Sequence, residues 1–463
     1  MTTLESASRG VSGRIPELDG LRGLAILLVV LWHYVAIPLT TNTASLGTFA
    51  ARLLRLSWSG VDLFFVLSGF LIGGILLDHR DAPRYFRVFY LRRACRILPL
   101  YAAWLLLFFS LPRLVPMMTH APGISQLFAR PLPSWSYLTL TQNFAMARRG
   151  EFGAAWLAPT WSLAIEEHFY LVLPITIRFL PSRSIPPVFL GAGLAGLLSR
   201  LVAGPERFFA VYVLTPLHFD SLLGGMLCAF ALREPFYRHH LLRARRLLYG
   251  LLLVILAILL SLSLFRHYGF EGSPYLFSIL AVFYCAVLIL AVTEGRGPVS
   301  WLTRRRWLRE LGIVAYGVYL SHLAILLLAH GLILGKSPSL ATGAEILTTV
   351  AAGIACFALA FLSWRAFERP SFPGRAASTM ATPAPQNRNR AGAGVYCSRP
   401  SQSRAGENAK RLTRGSRAST PATWPSGVSN AVCTTTKASP RSPRSHLPLV
   451  VRFSLAGVGA GAN

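Results

Sequence analysis

The sequence predicts an all-α polytopic membrane protein of about ten transmembrane helices. Three observations carry that prediction. The 463 residues are 53% hydrophobic and only 14% charged, whereas soluble domains are about a quarter charged. Apolar runs long enough to span a bilayer recur along the chain, separated by short loops. The basic residues behind the net charge of +28 gather in alternate loops and in a C-terminal tail. There they act as topology signals, which argues against a nucleic-acid partner.

The apolar runs fall near 18–39, 58–78, 97–115, 155–179, 186–204, 208–232, 247–266, 274–293, 311–334 and 343–367. The fourth is the least apolar and the fifth is short. The first is expected to be a retained span, because it carries Arg22 and His33 and lacks a small-residue cleavage site. No internal repeat is evident, which weighs against an inverted-repeat transporter. With the N-terminus inside, the inner loops hold Arg80, Arg84 and Arg87, then Arg233, Arg238 and Arg243, then Arg304, Arg305 and Arg306, each set with further arginines beside it. The outer loops hold roughly half as many basic residues, which places both termini in the cytoplasm. The longest outer loop, near 116–154, is expected to hold a re-entrant or interfacial piece with Trp135 and Tyr137 at headgroup level.

Residues 1–373 therefore form the expected transmembrane domain. Over 374–463 Ala, Ser, Pro, Thr and Arg dominate and Glu407 is the sole acid. Such a tail cannot bury enough apolar surface to fold and is expected to be disordered. The six cysteines form no Cys-x-x-Cys pattern, so neither a metal site nor a redox motif is expected.

Within PELDGLRGLAILLVVLWHY, Pro16 to Tyr34, Arg22 and His33 are about three helical turns apart and share a face, roughly 16 Å from each other along the axis. Asp19 lies on that face too. Ionisable groups inside a span usually face a protein interior or a water-filled path. Singly, Arg22 could instead snorkel and His33 could be satisfied by a carbonyl. Asp62, at the start of the second run, either orients the His33 imidazole from a matching depth or caps its own helix. Gly60, Gly69, Gly73 and Gly74 suit close helix packing.

In YFRVFYLRRACRILPLY, Arg92 and Arg96 share a face with Arg93 beside them. Arginine binds phosphate bidentately, but such a cluster is also ordinary positive-inside charge in contact with anionic lipid. PTWSLAIEEHFYLVLP places Glu166 and Glu167 near mid-membrane, where an unpaired charge is expensive. Ser162, Glu166 and Tyr170 recur every fourth residue and share a face. Asp220 and Ser221 fall near the centre of the sixth run, and Tyr319, Ser321 and His322 near the centre of the ninth. Either set could be interhelical glue.

In combination these stretches resemble the acyltransferase-3 family of integral-membrane O-acyltransferases. That family's first helix carries an arginine, ten residues and a histidine, a spacing that Arg22 and His33 match. Trp161, Ser162 and Leu163, two residues, Glu166, then Phe169 and Tyr170 fit a second motif, with Glu166 as the matching acid. An arginine-rich motif after the family's second span serves the acyl donor, which implies that role for Arg92, Arg93 and Arg96. The stretches around Asp220 and His322 are similar to further family patterns. The resemblance covers about 14–372 and leaves out the tail.

It implies acetyl-coenzyme A as a cytoplasmic donor substrate, with no permanently bound cofactor. The acceptor would be a hydroxyl of a sugar, glycan or glycolipid on the far side of a bacterial inner membrane. His33, Glu166, Asp62 and His322 become the expected catalytic set. Arg22, Arg92, Arg93, Arg96, Trp161, Ser162, Tyr170 and Asp220 become the expected donor- and substrate-binding set. The rival reading is a proton-coupled transporter or flippase whose intramembrane His, Asp and Glu relay protons. A membrane sensor without turnover is a third.

Overall fold

A computed structural model describes residues 15–40, 45–119, 123–204, 207–265 and 273–368. The tail expected at 374–463 lies outside the described residues. Ten principal helices follow one another: α1 Pro16–Leu31, α2 Gly60–Asp78, α3 Tyr85–Leu114, α4 Thr160–Phe179, α5 Ile185–Ala203, α6 Phe219–Arg233, α7 Arg245–Phe265, α8 Leu276–Thr293, α9 Arg306–Leu334 and α10 Gly343–Ser363. No strand occurs among the described residues. Nine stretches of helix among the described residues are long and apolar enough to cross a membrane. The tenth expected span is α4, whose 20 residues reach about 30 Å. Its Glu166, Glu167 and His168 lower its apolarity, and Glu166 lines a cavity inside the bundle.

Three boundaries differ from the hydropathy pattern. α3 begins at Tyr85, so Arg92, Arg93 and Arg96 ride on the helix itself and not in the loop before it. Arginine is a good helix former, and its charge only hides the first turns from an apolarity count. The sixth run is broken into a short helix Phe208–Val213, a tight turn Thr215–His218, and α6. Leu214 is extended there (φ −86°, ψ 133°), and Pro216, which donates no N–H, cannot continue the hydrogen-bond ladder of the short helix. Asp220 consequently stands in the first turn of α6, not at mid-span. In the long loop, Trp135 is exposed but Tyr137 is fully buried, with its carbonyl accepting the Tyr101 hydroxyl at 3.0 Å. Tyr137 is a core residue and not a headgroup anchor.

Small residues draw the helices together. A Cβ on Gly69 would meet the Leu222 carbonyl oxygen at 1.8 Å, and one on Gly225 would meet that of Val66 at 2.0 Å. α2 and α6 are therefore in backbone contact, as the glycines of the second run imply. The same device joins α1 to α9: a Cβ on Gly23 would lie 1.8 Å from the Leu308 oxygen and one on Gly312 would lie 1.9 Å from that of Asp19. This second pairing decides the site, because the turn that continues α1 carries His33 and α9 carries His322.

Candidate functional site

α1 runs straight into a single π-helical turn, Trp32–Ala36, of the kind that recurs at functional sites. The wider turn carries His33 and Tyr34. Tyr34 donates its hydroxyl to the His322 carbonyl at 2.9 Å, pinning α1 to α9 at the level of the imidazoles. The two rings meet edge to face with centroids 4.7 Å apart. His33 Nδ1 lies 2.9 Å from the Val29 carbonyl oxygen, and His322 Nδ1 lies 2.7 Å from that of Tyr319. A carbonyl only accepts, so each neutral ring carries its proton on Nδ1 and its lone pair on Nε2. His322 Nε2 is buried without a hydrogen-bond partner. His33 is half-exposed to a cavity of about 540 Å³ walled by Trp32, Trp58, Trp161 and Tyr212.

A second cavity, of about 310 Å³, contains the polar face of α4. Ser162, Glu166 and Tyr170 line it opposite Arg22 of α1 and Arg93 and Arg96 of α3. The Arg93 guanidinium lies 5.9 Å from the centroid of the Tyr170 ring, a cation–π distance. Tyr170 and Ser68 share a hydrogen bond of 2.5 Å. Arg22 pairs with Asp19 at 3.6 Å. Three guanidiniums thus converge on one confined space that Glu166 also lines, an arrangement that suits a phosphate-bearing ligand.

Four expectations need correction. Arg93 and Arg96, three residues apart, line the cavity, whereas Arg92 does not; the helix presents the other pair to the interior. Arg22 and His33 reach different cavities, about 16 Å apart along the helix axis. Glu166, expected in one catalytic set with His33, faces the arginines and lines the other cavity. Asp62 does not orient the His33 imidazole: its Oδ1 accepts from the Ser221 hydroxyl at 3.4 Å. The close α2–α6 packing turns Asp62 towards α6 and away from α1.

Asp62 thereby borders a buried network centred on Arg200 and Asp220. Arg200 of α5 is fully buried. It donates to Asp220 Oδ2 at 2.5 Å and to the Ser278 hydroxyl at 2.7 Å, and Ser278 donates to the same Asp220 oxygen at 2.7 Å. Asp220 Oδ1 accepts the Ser221 N–H at 3.0 Å. Asp220 is thus a brace between α5, α6 and α8 and lies outside both cavities. The available signal was charge: Arg200 and Asp220 are opposite charges inside adjacent spans, where each needs a partner. The sequence pattern marks His322, but only the α1–α9 contact brings it to His33.

The described residues thus form a multi-pass helical bundle with two histidines in one cavity and three arginines in its neighbour. The chain belongs to the acyltransferase-3 family, described as an acyltransferase domain, whose profile matches residues 15–365. It is 30% identical to YrhL of Bacillus subtilis, over 68% of this chain and 49% of that one. It is 27% identical to the peptidoglycan O-acetyltransferase OatA of Listeria monocytogenes, over 77% of this chain and 55% of that one. It is 26% identical to the O-acetyltransferase OatA of Staphylococcus aureus strain NCTC 8325, over 77% and 57%. The chain spans about half the length of the curated relatives it matches. No solved structure matches it.

Proposed function

We propose that this protein transfers an acetyl group from coenzyme A to a hydroxyl of a glycan-type acceptor across a bacterial inner membrane. The observation that carries the reading is the pair of adjoining cavities, one rich in guanidinium and the other holding two imidazoles with free Nε2 lone pairs. Peptidoglycan O-acetyltransferases among the relatives support a glycan acceptor. The arginine-rich inner loops support a cytoplasmic donor.

In this reading Arg22, Arg93 and Arg96 hold the phosphates of the donor, and Asp19 and Glu166 supply counter-charge to the guanidiniums. Trp32, Trp58 and Trp161 offer flat apolar faces to the acceptor. His33 Nε2 takes the proton of the acceptor hydroxyl as its oxygen attacks the thioester carbonyl. The carbon–sulfur bond breaks, the ester carbon–oxygen bond forms, and the departing thiolate takes the proton from the imidazolium. His322, locked by two backbone carbonyls, sets the tilt of His33. Asp62 and Asp220 act through the bundle and not on the acceptor.

A general base contributes about 10²–10⁴-fold. His33→Ala should lower kcat by that factor while membrane level and donor binding persist, measured as thiol release and ester formation in proteoliposomes. His33→Gln keeps a hydrogen-bonding group but takes no proton near neutral pH, so it should be nearly as inactive. A His33→Gln protein with normal turnover would sink the assignment and move the role to His322. Movement of unmodified acceptor without thioester consumption would favour a transporter.

A further inference from the structure

The two cavities are separated by a wall one side chain thick. Val61 of α2 and Tyr319 of α9 are the lining residues they have in common. Tyr319 has four attachments. Its hydroxyl is latched to the Ser162 hydroxyl at 2.5 Å, and its ring packs edge to face on Phe64 with centroids 6.0 Å apart. Its carbonyl accepts the Nδ1–H of His322 at 2.7 Å, and its ring centroid lies 5.9 Å from that of His322.

We infer that the Tyr319 side chain, latched to Ser162, is a gate between the donor and acceptor compartments, and that with Val61 it restricts the transferred acyl group to a short chain. The inference rests on the acyl-transfer reading. If the arginines hold the phosphates of a thioester, its carbonyl reaches His33 only past this wall. Rotation about χ1 swings the Tyr319 ring out of the passage while leaving the main-chain carbonyl on His322 in place, so the gate can open without disturbing the tautomer of the histidine behind it. An acetyl group is no wider than the tip of the thioester arm. Each further methylene must fit between Val61 and the displaced ring, and one methylene in a closely fitted apolar site is worth about 10–200-fold in discrimination. Tyr319 is a positioning and specificity residue here, not a base.

The test compares acetyl-, butyryl- and hexanoyl-coenzyme A with the full chain in proteoliposomes, reading release of free thiol in the presence of an N-acetylglucosamine pentasaccharide. The wild type should turn over butyryl thioester about 10²-fold more slowly than acetyl. Val61→Ala widens the passage and should raise the butyryl-to-acetyl ratio about tenfold. Tyr319→Phe keeps the ring but removes the latch, and should raise the same ratio about threefold, with KM for acetyl-coenzyme A nearly constant because the guanidiniums are untouched. A wild-type ratio near one overturns the inference, as do unchanged ratios in both variants with acetyl turnover intact. A wild type that releases no thiol from any thioester removes the acyl-transfer reading itself. That outcome is read on the unaltered protein and is distinct from failure of the gate.

Discussion

Gly312→Ala tests whether the backbone contact between α1 and α9 sets the site. The added Cβ would lie 1.9 Å from the Asp19 carbonyl oxygen, and real Cβ contacts hold off at 3.0 Å or more. The helices must therefore part by about 1.1 Å locally, the difference between those two distances, or the Cβ must be accommodated by bending one of them. Gly312 also lines the arginine cavity, beside Arg22, and the same helix pair carries both imidazoles. Overpacking of this kind costs about 1–3 kcal/mol, and a misplacement of about 1 Å at reacting groups costs about 10²-fold in rate. Gly312→Ala should thus lower thiol release by about two orders of magnitude and lower Tm by several degrees, as read by fluorescence-detected unfolding in detergent. Gly250→Ala in α7 is the control, because nothing lies within 4 Å of its added Cβ. It should leave turnover unchanged and raise Tm slightly, since alanine is favoured over glycine by about 1 kcal/mol in a helix. A Gly312→Ala protein with wild-type rate and Tm would refute the claim that this contact positions the histidines.

Two further outcomes follow from the charges. Arg93→Ala and Arg96→Ala should each raise KM for the coenzyme-A thioester by about 10–100-fold, the value of a charge-assisted hydrogen bond. Lysine should restore only part of it. Arg92→Ala, outside the cavity lining, should do much less; equal effects at all three positions would return the cluster to a topology role. In the buried brace, Arg200→Met should cost about 3–5 kcal/mol, because it strands Asp220 without its guanidinium. Arg200→Met with Asp220→Leu should recover most of that loss, and an Arg200→Met protein of wild-type Tm would show that the pair is dispensable.

Much of this protein is local in origin, and that part was legible. Apolar length places ten helices to within a few residues at most ends, because a span must be about 30 Å of apolar surface whatever it packs against. The face shared by Ser162, Glu166 and Tyr170 also follows from sequence alone, since 3.6 residues per turn fixes it inside one helix. The glycines of α2 announced a close neighbour for the same reason: their effect depends only on having no side chain. What the sequence left open was which neighbour. His33 meets His322 and not Asp62 because Gly23 and Gly312 seat α1 on α9, while Gly69 and Gly225 turn α2 towards α6. Tyr34 then ties across 288 positions to the His322 carbonyl. The π turn at Trp32–Ala36 widens the backbone at His33, and the break at Leu214 puts Asp220 in a first turn and not at mid-span. Helical phase is a property of a few consecutive residues. The choice of Arg93 over Arg92, and the division of the interior into two cavities by Val61 and Tyr319, depend on how whole helices fill the space between them, and only the tertiary structure decides that.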